Sequence, residues 1–258
     1  MKKVTLLCGM LLAFTASLAA AAPGVNLKWN ACFGDGGLLN RVSTCAVNIG
    51  TNALVGSFEL GAAGLSGASG VEVVVDVATA SATLPAWWQF FNVGTCRQVS
   101  LTVNPTISPF AFACFDWSAG FASGGLAAYN IGSGGPNTAR MIIGFAVPAA
   151  NLANLAGAQE YFATNILINN AKTVGTPNCA GCSTPACIIC SSIKVATPPV
   201  TGQPSRDVTL FGPTDAPGTS NFATWQGGGG VIVGTRQGCP AAVPTHNTTW
   251  SSVKTMYR

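Results

Sequence analysis

Short apolar runs rich in valine, isoleucine and aromatic residues, each fenced by glycine, proline, asparagine or serine, recur along this chain and leave little room for a long helix. Runs of this kind are strands when apolar and polar residues alternate, because successive side chains of an extended backbone point to opposite faces. The clearest is Val71-Glu72-Val73-Val74-Val75-Asp76-Val77, where every odd position is valine and Glu72 and Asp76 share the other face. That pattern predicts a strand buried on one side. Leu54 to Leu60, Trp87 to Phe91, Val99 to Val103, Ala139 to Val147, Tyr161 to Asn169 and Cys187 to Val195 read as further strands. Pro148 to Gln159 reads as a short helix or an irregular crossover, and Gly61 to Gly70, Gly132 to Asn137 and Thr173 to Thr184 as loops. The expected fold is all-β, a mainly antiparallel β-sandwich over residues 22–197. A Gly/Pro-rich extension over 198–246 and a short C-terminal helix over 247–258 are expected to follow it. In that last segment Trp250, Val253 and Tyr257 fall on one helical face, with Lys254 and Arg258 near the negative end of the dipole.

The compartment is set by the first residues. Met1-Lys2-Lys3 is a short positive start, Val4 to Phe14 is apolar but too short to span a bilayer, and Ala19-Ala20-Ala21 offers a small-residue cleavage site. Residues 1–21 therefore read as a secretory signal peptide, and the expected location is extracellular, periplasmic or on the cell surface. No apolar run of about 18 residues follows.

Export makes the cysteines disulfide candidates. Of ten cysteines, Cys8 lies in the signal, leaving Cys32, Cys45, Cys96, Cys114, Cys179, Cys182, Cys187, Cys190 and Cys239. Eight paired residues allow roughly a hundred connectivities. Short loop closure favours Cys32 with Cys45 and Cys96 with Cys114, leaving Cys239 and three late cysteines for the other bridges. Alternation sends Cys187 and Cys190 to opposite faces of one strand. One of the two is the residue left over, and Cys190 is the candidate free thiol. The cluster Cys179-x2-Cys182-x4-Cys187-x2-Cys190 also has the residue types of a zinc or iron–sulfur site. Its four-residue spacer is short for two knuckles around one ion, and export favours oxidation, so the expectation is bridges and no metal or cofactor.

Composition narrows the function classes. Hydrophobic residues make up 48% of the chain and charged residues only 8%, the reverse of a disordered segment. The formal net charge is +4, half of it from Lys2 and Lys3, and the remaining basic residues are scattered, which argues against a nucleic-acid partner. His246 is the single histidine and no G-x-S-x-G elbow occurs, so a serine triad and a His-based zinc site lack their parts. Glu72 and Asp76 would stand roughly 13 Å apart along a strand, beyond the carboxylate spacing of either glycosidase class. Asp35-Gly36-Gly37 lacks the spaced oxygen ligands of an EF-hand and reads as a turn. No catalytic residue is assigned.

Aromatics carry the binding signal. In Trp87-Trp88-Gln89-Phe90-Phe91, strand alternation puts Trp87 and Trp88 on opposite faces, one in the core and the other open to stack on a sugar ring or anchor a protein. The alternative is a central strand, or a loop held over the core by Pro85. Phe110, Phe112, Phe115, Trp117 and Phe121 around Cys114 read as packing against a bridge.

The segments Trp250 to Arg258 and Cys179-Ala180-Gly181-Cys182-Ser183-Thr184-Pro185-Ala186-Cys187 are similar to stretches of uncharacterised secreted proteins of environmental bacteria, a resemblance that implies no activity. The strand spacing between Val71 and Val195 loosely resembles cohesin-like and carbohydrate-binding sandwiches, and the penultimate Tyr257 resembles that of fimbrial subunits. Together these features lead to a secreted, non-enzymatic binding protein for a glycan or a cell-surface protein as the expected function. A self-assembling surface component and a secreted hydrolase are the alternatives.

Overall fold

The computed structural model describes residues 22–106, 114–231 and 239. The expected signal peptide over 1–21, His246, Phe110, Phe112 and the expected helix over 247–258 lie outside the described residues. The described residues form fourteen strands: β1 Gly24–Trp29, β2 Asn40–Arg41, β3 Thr51–Glu59, β4 Leu65–Ala68, β5 Gly70–Thr79, β6 Leu101–Asn104, β7 Phe115–Asp116, β8 Ser123–Ile131, β9 Thr138–Ala146, β10 Ala153–Leu155, β11 Tyr161–Asn169, β12 Ala186–Ala196, β13 Val208–Leu210 and β14 Phe222–Trp225. The fold is all-β, with sheets dominated by antiparallel pairing. A smaller sheet runs β1-β3-β11-β6 with β7 on β11, and a larger one runs β2-β14-β12-β5-β9-β8 with β13 on β12. β4 and β10 form a separate ribbon.

Alternation builds the core between the two sheets. Val25, Leu27, Trp29, Leu54, Phe58, Ile166 and Ile168 of the smaller sheet share one buried cluster with Val73, Val75, Val77, Met141, Ile143, Ile188, Ile193 and Val195 of the larger. The valine ladder of β5 thus faces inward, while Glu72 on its other face is exposed. Asp76 on that same face is buried, and its carboxylate accepts two bonds from Arg140, at 2.7 and 2.8 Å, and one from the Ser191 hydroxyl. A buried carboxylate needs such partners to offset its lost hydration.

The sandwich extends beyond residue 197. β13 and β14 belong to the larger sheet, and Trp225 at the end of β14 is fully buried. The chain before β14 also guards the open side of β1: Val25 N–H donates to the Gly212 carbonyl and Leu27 N–H to that of Ser220, each at 2.8 Å. Part of the 198–246 stretch is therefore structural wall. Between β13 and β14 of the larger sheet, this irregular backbone reaches β1 of the smaller one.

The two outer faces are each held by a disulfide. Cys32–Cys114 lies with Val55 and Phe162 over the smaller sheet, where Glu160 accepts hydrogen bonds from Phe33 N–H, Gly34 N–H and the Ser57 hydroxyl. Cys187–Cys239 lies with Ala78 and Ile189 over the larger sheet, with Phe222 and Val231 packed alongside.

Candidate functional site

The strand registers gather one set of loops at one end of the sandwich. Thr51 at the start of β3 faces Asn169 at the end of β11, and Ala186 at the start of β12 faces both Thr79 of β5 and Trp225 of β14. Loops 30–50, 80–100 and 170–185 meet there. Two bridges, Cys45–Cys182 and Cys96–Cys179, join them. The pairing suggested by sequence proximity, Cys32 with Cys45 and Cys96 with Cys114, is therefore corrected. Folding brings together cysteines 82, 137, 83 and 52 residues apart, so strand pairing, not loop closure, selects the partners.

Hydrogen bonds reinforce the bridges. The Asn48 amide donates to the Val174 carbonyl at 3.0 Å and its oxygen accepts the Val174 N–H at 2.9 Å. Asn170 Nδ2 donates to the Ile49 carbonyl at 2.9 Å, and Lys172 Nζ to the Cys96 carbonyl at 3.0 Å. Loop 170–185 is thus clamped between the other two.

Trp87 and Trp88 lie under these loops, not on them. Pro85 introduces a 3-10 turn over Ala86–Trp88 in place of the expected strand. Neighbouring side chains on such a turn diverge by about 120°, so both can enter one core. Both indoles are 0% exposed, which corrects the expectation that one of them is accessible. Trp87 stacks on Trp225 with centroids 5.1 Å apart and donates from Nε1 to the Thr173 hydroxyl at 3.0 Å. Trp88 meets Trp225 edge-on at 5.9 Å, and Phe90 packs on both Trp88 and Tyr129.

Arg97 completes this foundation, and nothing in its polar sequence context marks it as buried. It is 1% exposed, and its guanidinium sits 3.8 Å over the Trp87 ring and 5.1 Å from that of Phe90. Nη1 donates to the Trp87 carbonyl at 3.0 Å and Nη2 to the Asn169 carbonyl. Burial pulls its pKa down to about 9, so the cation persists at neutral pH on aromatic faces and carbonyls.

The joined loops expose aliphatic side chains. Ile49 is 80% exposed, Val93 91% and Val99 78%. A stiff loop carrying an exposed aliphatic side chain can contact an apolar partner without first being ordered. Sequence reading passes over Ile49 and Val93, which resemble any other surface position, and places Val99 in a strand that the structure begins only at Leu101.

The late cysteine cluster does not converge on one point. Cys179 goes to Cys96, Cys182 to Cys45 and Cys187 to Cys239, while Cys190 is free and buried in the main core. Cys32 and Cys114 lie close to Asp35, but their sulfurs are bonded to each other. Asp35 sits in a turn, its N–H donating to the Cys32 carbonyl at 3.2 Å.

Burial pushes the Cys190 thiol up to about 12. The thiolate is the reactive form, so this thiol is inert while the protein is folded. Ellman's reagent at pH 8 is expected to find no reactive thiol among residues 22–258 of the native disulfide-bonded protein and one in guanidinium without reductant. Labelling of Cys190 under native conditions would refute its burial.

No helix of the described residues is long and apolar enough to cross a membrane. No family model matches this sequence, and no curated protein matches it.

Proposed function

We propose that this chain is a non-enzymatic binding protein of an oxidising, extracytoplasmic compartment, and that the disulfide-locked loop end contacts an apolar patch on a protein partner. Four bridges support the compartment, since cytosolic reductants work against such bonds. The observation that carries the binding role is the exposure of Ile49, Val93 and Val99 on loops that two of those bridges immobilise. Binding and recognition concentrate on loops presented by a rigid scaffold. The glycan reading depended on an accessible indole, and with Trp87 and Trp88 both buried it loses that support.

The test is a triple variant, Ile49→Asp, Val93→Asp and Val99→Asp. Substitutions at exposed positions usually change stability by no more than about 0.5 kcal/mol each, so the melting curve should barely move. Binding to isolated cell surface, measured by surface plasmon resonance, is expected to fall at least tenfold. Undiminished binding by a correctly folded variant would remove the loop end from the function.

A further inference from the structure

The chain is poor in charge, and the fold sorts what it has. All eight acidic residues lie among the described residues, and none of them stands at the loop end. Glu59 closes β3 opposite Gly24, Glu160 precedes β11, and Asp116 pairs with Phe162, all at the end of the sandwich away from Thr51 and Asn169. Glu72 faces Lys194 and Gly144 in the far half of β5, Asp207 pairs with Lys194, and Asp215 follows Thr214, whose backbone lies against Gly24. Asp76 is buried and neutralised by Arg140. Asp35 lies beside the Cys32–Cys114 bridge, in a turn whose Phe33 and Gly34 N–H groups donate to Glu160, which draws it toward the same far end. The bases among these acids, Lys28, Lys194 and Arg206, are fewer.

The loop end is the reverse. Lys172 is exposed, and its ammonium donates to the carbonyl of Cys96, which lies midway along the chain between Val93 and Val99. Arg41 is half-buried. Its Nε donates to Asn52 Oδ1 at 3.0 Å, and the Asn52 amide leads through Asn170 to the Ile49 carbonyl by bonds of 2.9 Å each. The two cations are thus tied to the same loop segments that carry the exposed aliphatic side chains, and buried Arg97 adds a third beneath them. The residues outside the described ones include lysine and arginine but no acid, so none of them can cancel this charge.

We infer that the partner of the loop end is an acidic protein surface, one whose apolar centre is ringed by aspartate or glutamate. This rests on the loop end being the binding surface and goes beyond it by fixing the partner's charge. Opposite charge around an apolar contact speeds encounter and excludes partners of the wrong sign. A molecule positive at its binding end and negative at the other is also turned toward such a partner as it approaches. A polyanionic glycan offers nothing apolar to Ile49, Val93 and Val99. An anionic bilayer is recognised by clusters of about four or more basic residues, or through tryptophan and tyrosine at the interface. Among the described residues this end has Lys172 and Arg41 accessible, and it buries Trp87 and Trp88.

Surface plasmon resonance on isolated cell surface, with the disulfide-bonded protein as analyte, tests the charge. Association is expected to slow at least tenfold as sodium chloride rises from about 50 to about 500 mM, because screening shortens the reach of the field. Arg41→Glu/Lys172→Glu should bind at least tenfold more weakly, whereas Arg41→Lys/Lys172→Arg should bind like the wild type. Lys172→Glu alone, at an exposed position, should give part of the loss whatever Arg41→Glu does to the fold. Amidating the surface carboxylates with carbodiimide and methylamine should abolish binding, as should digesting the surface with protease. Binding that survives protease, or that transfers to phosphatidylserine vesicles, would overturn the proposal in favour of a glycan or a membrane. The variant Ile49→Ser/Val93→Ser/Val99→Ser removes the apolar contact without adding charge. Binding that this variant loses, yet that ignores salt, the glutamate substitutions and amidation, would overturn the acidic partner and leave the loop end in the function. Undiminished binding by the serine variant, or no binding by the wild type, would remove both readings.

Discussion

Replacing Trp87 with alanine is expected to destabilise the protein by about 3–5 kcal/mol, the usual range for removing a large buried aromatic side chain. The indole is fully buried, stacks on Trp225 and carries the Arg97 guanidinium 3.8 Å over its ring. Its loss would leave a cavity and also strip a buried cation of its aromatic support, so the cost should fall at the upper end of that range. Urea denaturation followed by fluorescence measures it. A finer comparison separates the two tryptophans: Trp87 Nε1 donates to Thr173, whereas Trp88 Nε1 has no hydrogen-bond partner among the described residues. Trp87→Phe should therefore be the more damaging of the two phenylalanine replacements, because it removes a satisfied bond while Trp88→Phe removes an unsatisfied donor. A loss below about 1 kcal/mol for Trp87→Ala would contradict the tight packing described.

The second large effect concerns the loop end directly. Cys45→Ala/Cys182→Ala removes a bridge that closes 137 residues by sequence separation. With the neighbouring bridges intact, the shortest covalent circuit is only about 35 residues, for which the chain-entropy model gives about 4 kcal/mol. For a chain of this size that corresponds to a fall in Tm of roughly 10 °C. Calorimetry on protein whose other bridges are verified by mass spectrometry checks the value. A fall of about 2 °C or less would mean that the hydrogen bonds of Asn48, Asn170 and Lys172 hold the loops on their own. Loss of binding without loss of the core would be the functional counterpart, since loosened loops must be ordered again at the interface.

Particular elements show what is readable from residues. β5, β9, β11 and β12 announce themselves by apolar alternation or by runs of β-branched residues, and the structure has them within a residue or two of the expected bounds. β1 carries the same signature, with Val25, Leu27 and Trp29 set against Asn26 and Lys28, but it is not among the strands expected from the sequence. β8 does not announce itself. Its glycines and alanines have weak strand preference, and it exists because β9 supplies a ladder from Thr138 to Ala146. Trp87 to Phe91 fails in the opposite sense: its residues suit a strand, but Pro85 and the bond from Trp87 N–H to the Ala180 carbonyl bend it into a turn. Arg97 is illegible because its cradle depends on that same turn, which folds the Trp87 and Phe90 rings and the Trp87 carbonyl back onto it, and on the Asn169 carbonyl brought in from 72 residues away.

The sequence by itself determined the all-β class, the inward face of β5, and the opposite destinations of Cys187 and Cys190, because each follows from the two-residue period of an extended chain. It also carried the expectation of an exported chain rich in bridges, and four are present. Only the tertiary structure decided which cysteines meet, which tryptophans are buried, and how part of the stretch after residue 197 closes one side of the sandwich. Those outcomes depend on the registers of strands far apart along the chain, and local periodicity says which face a residue takes without saying what stands opposite it.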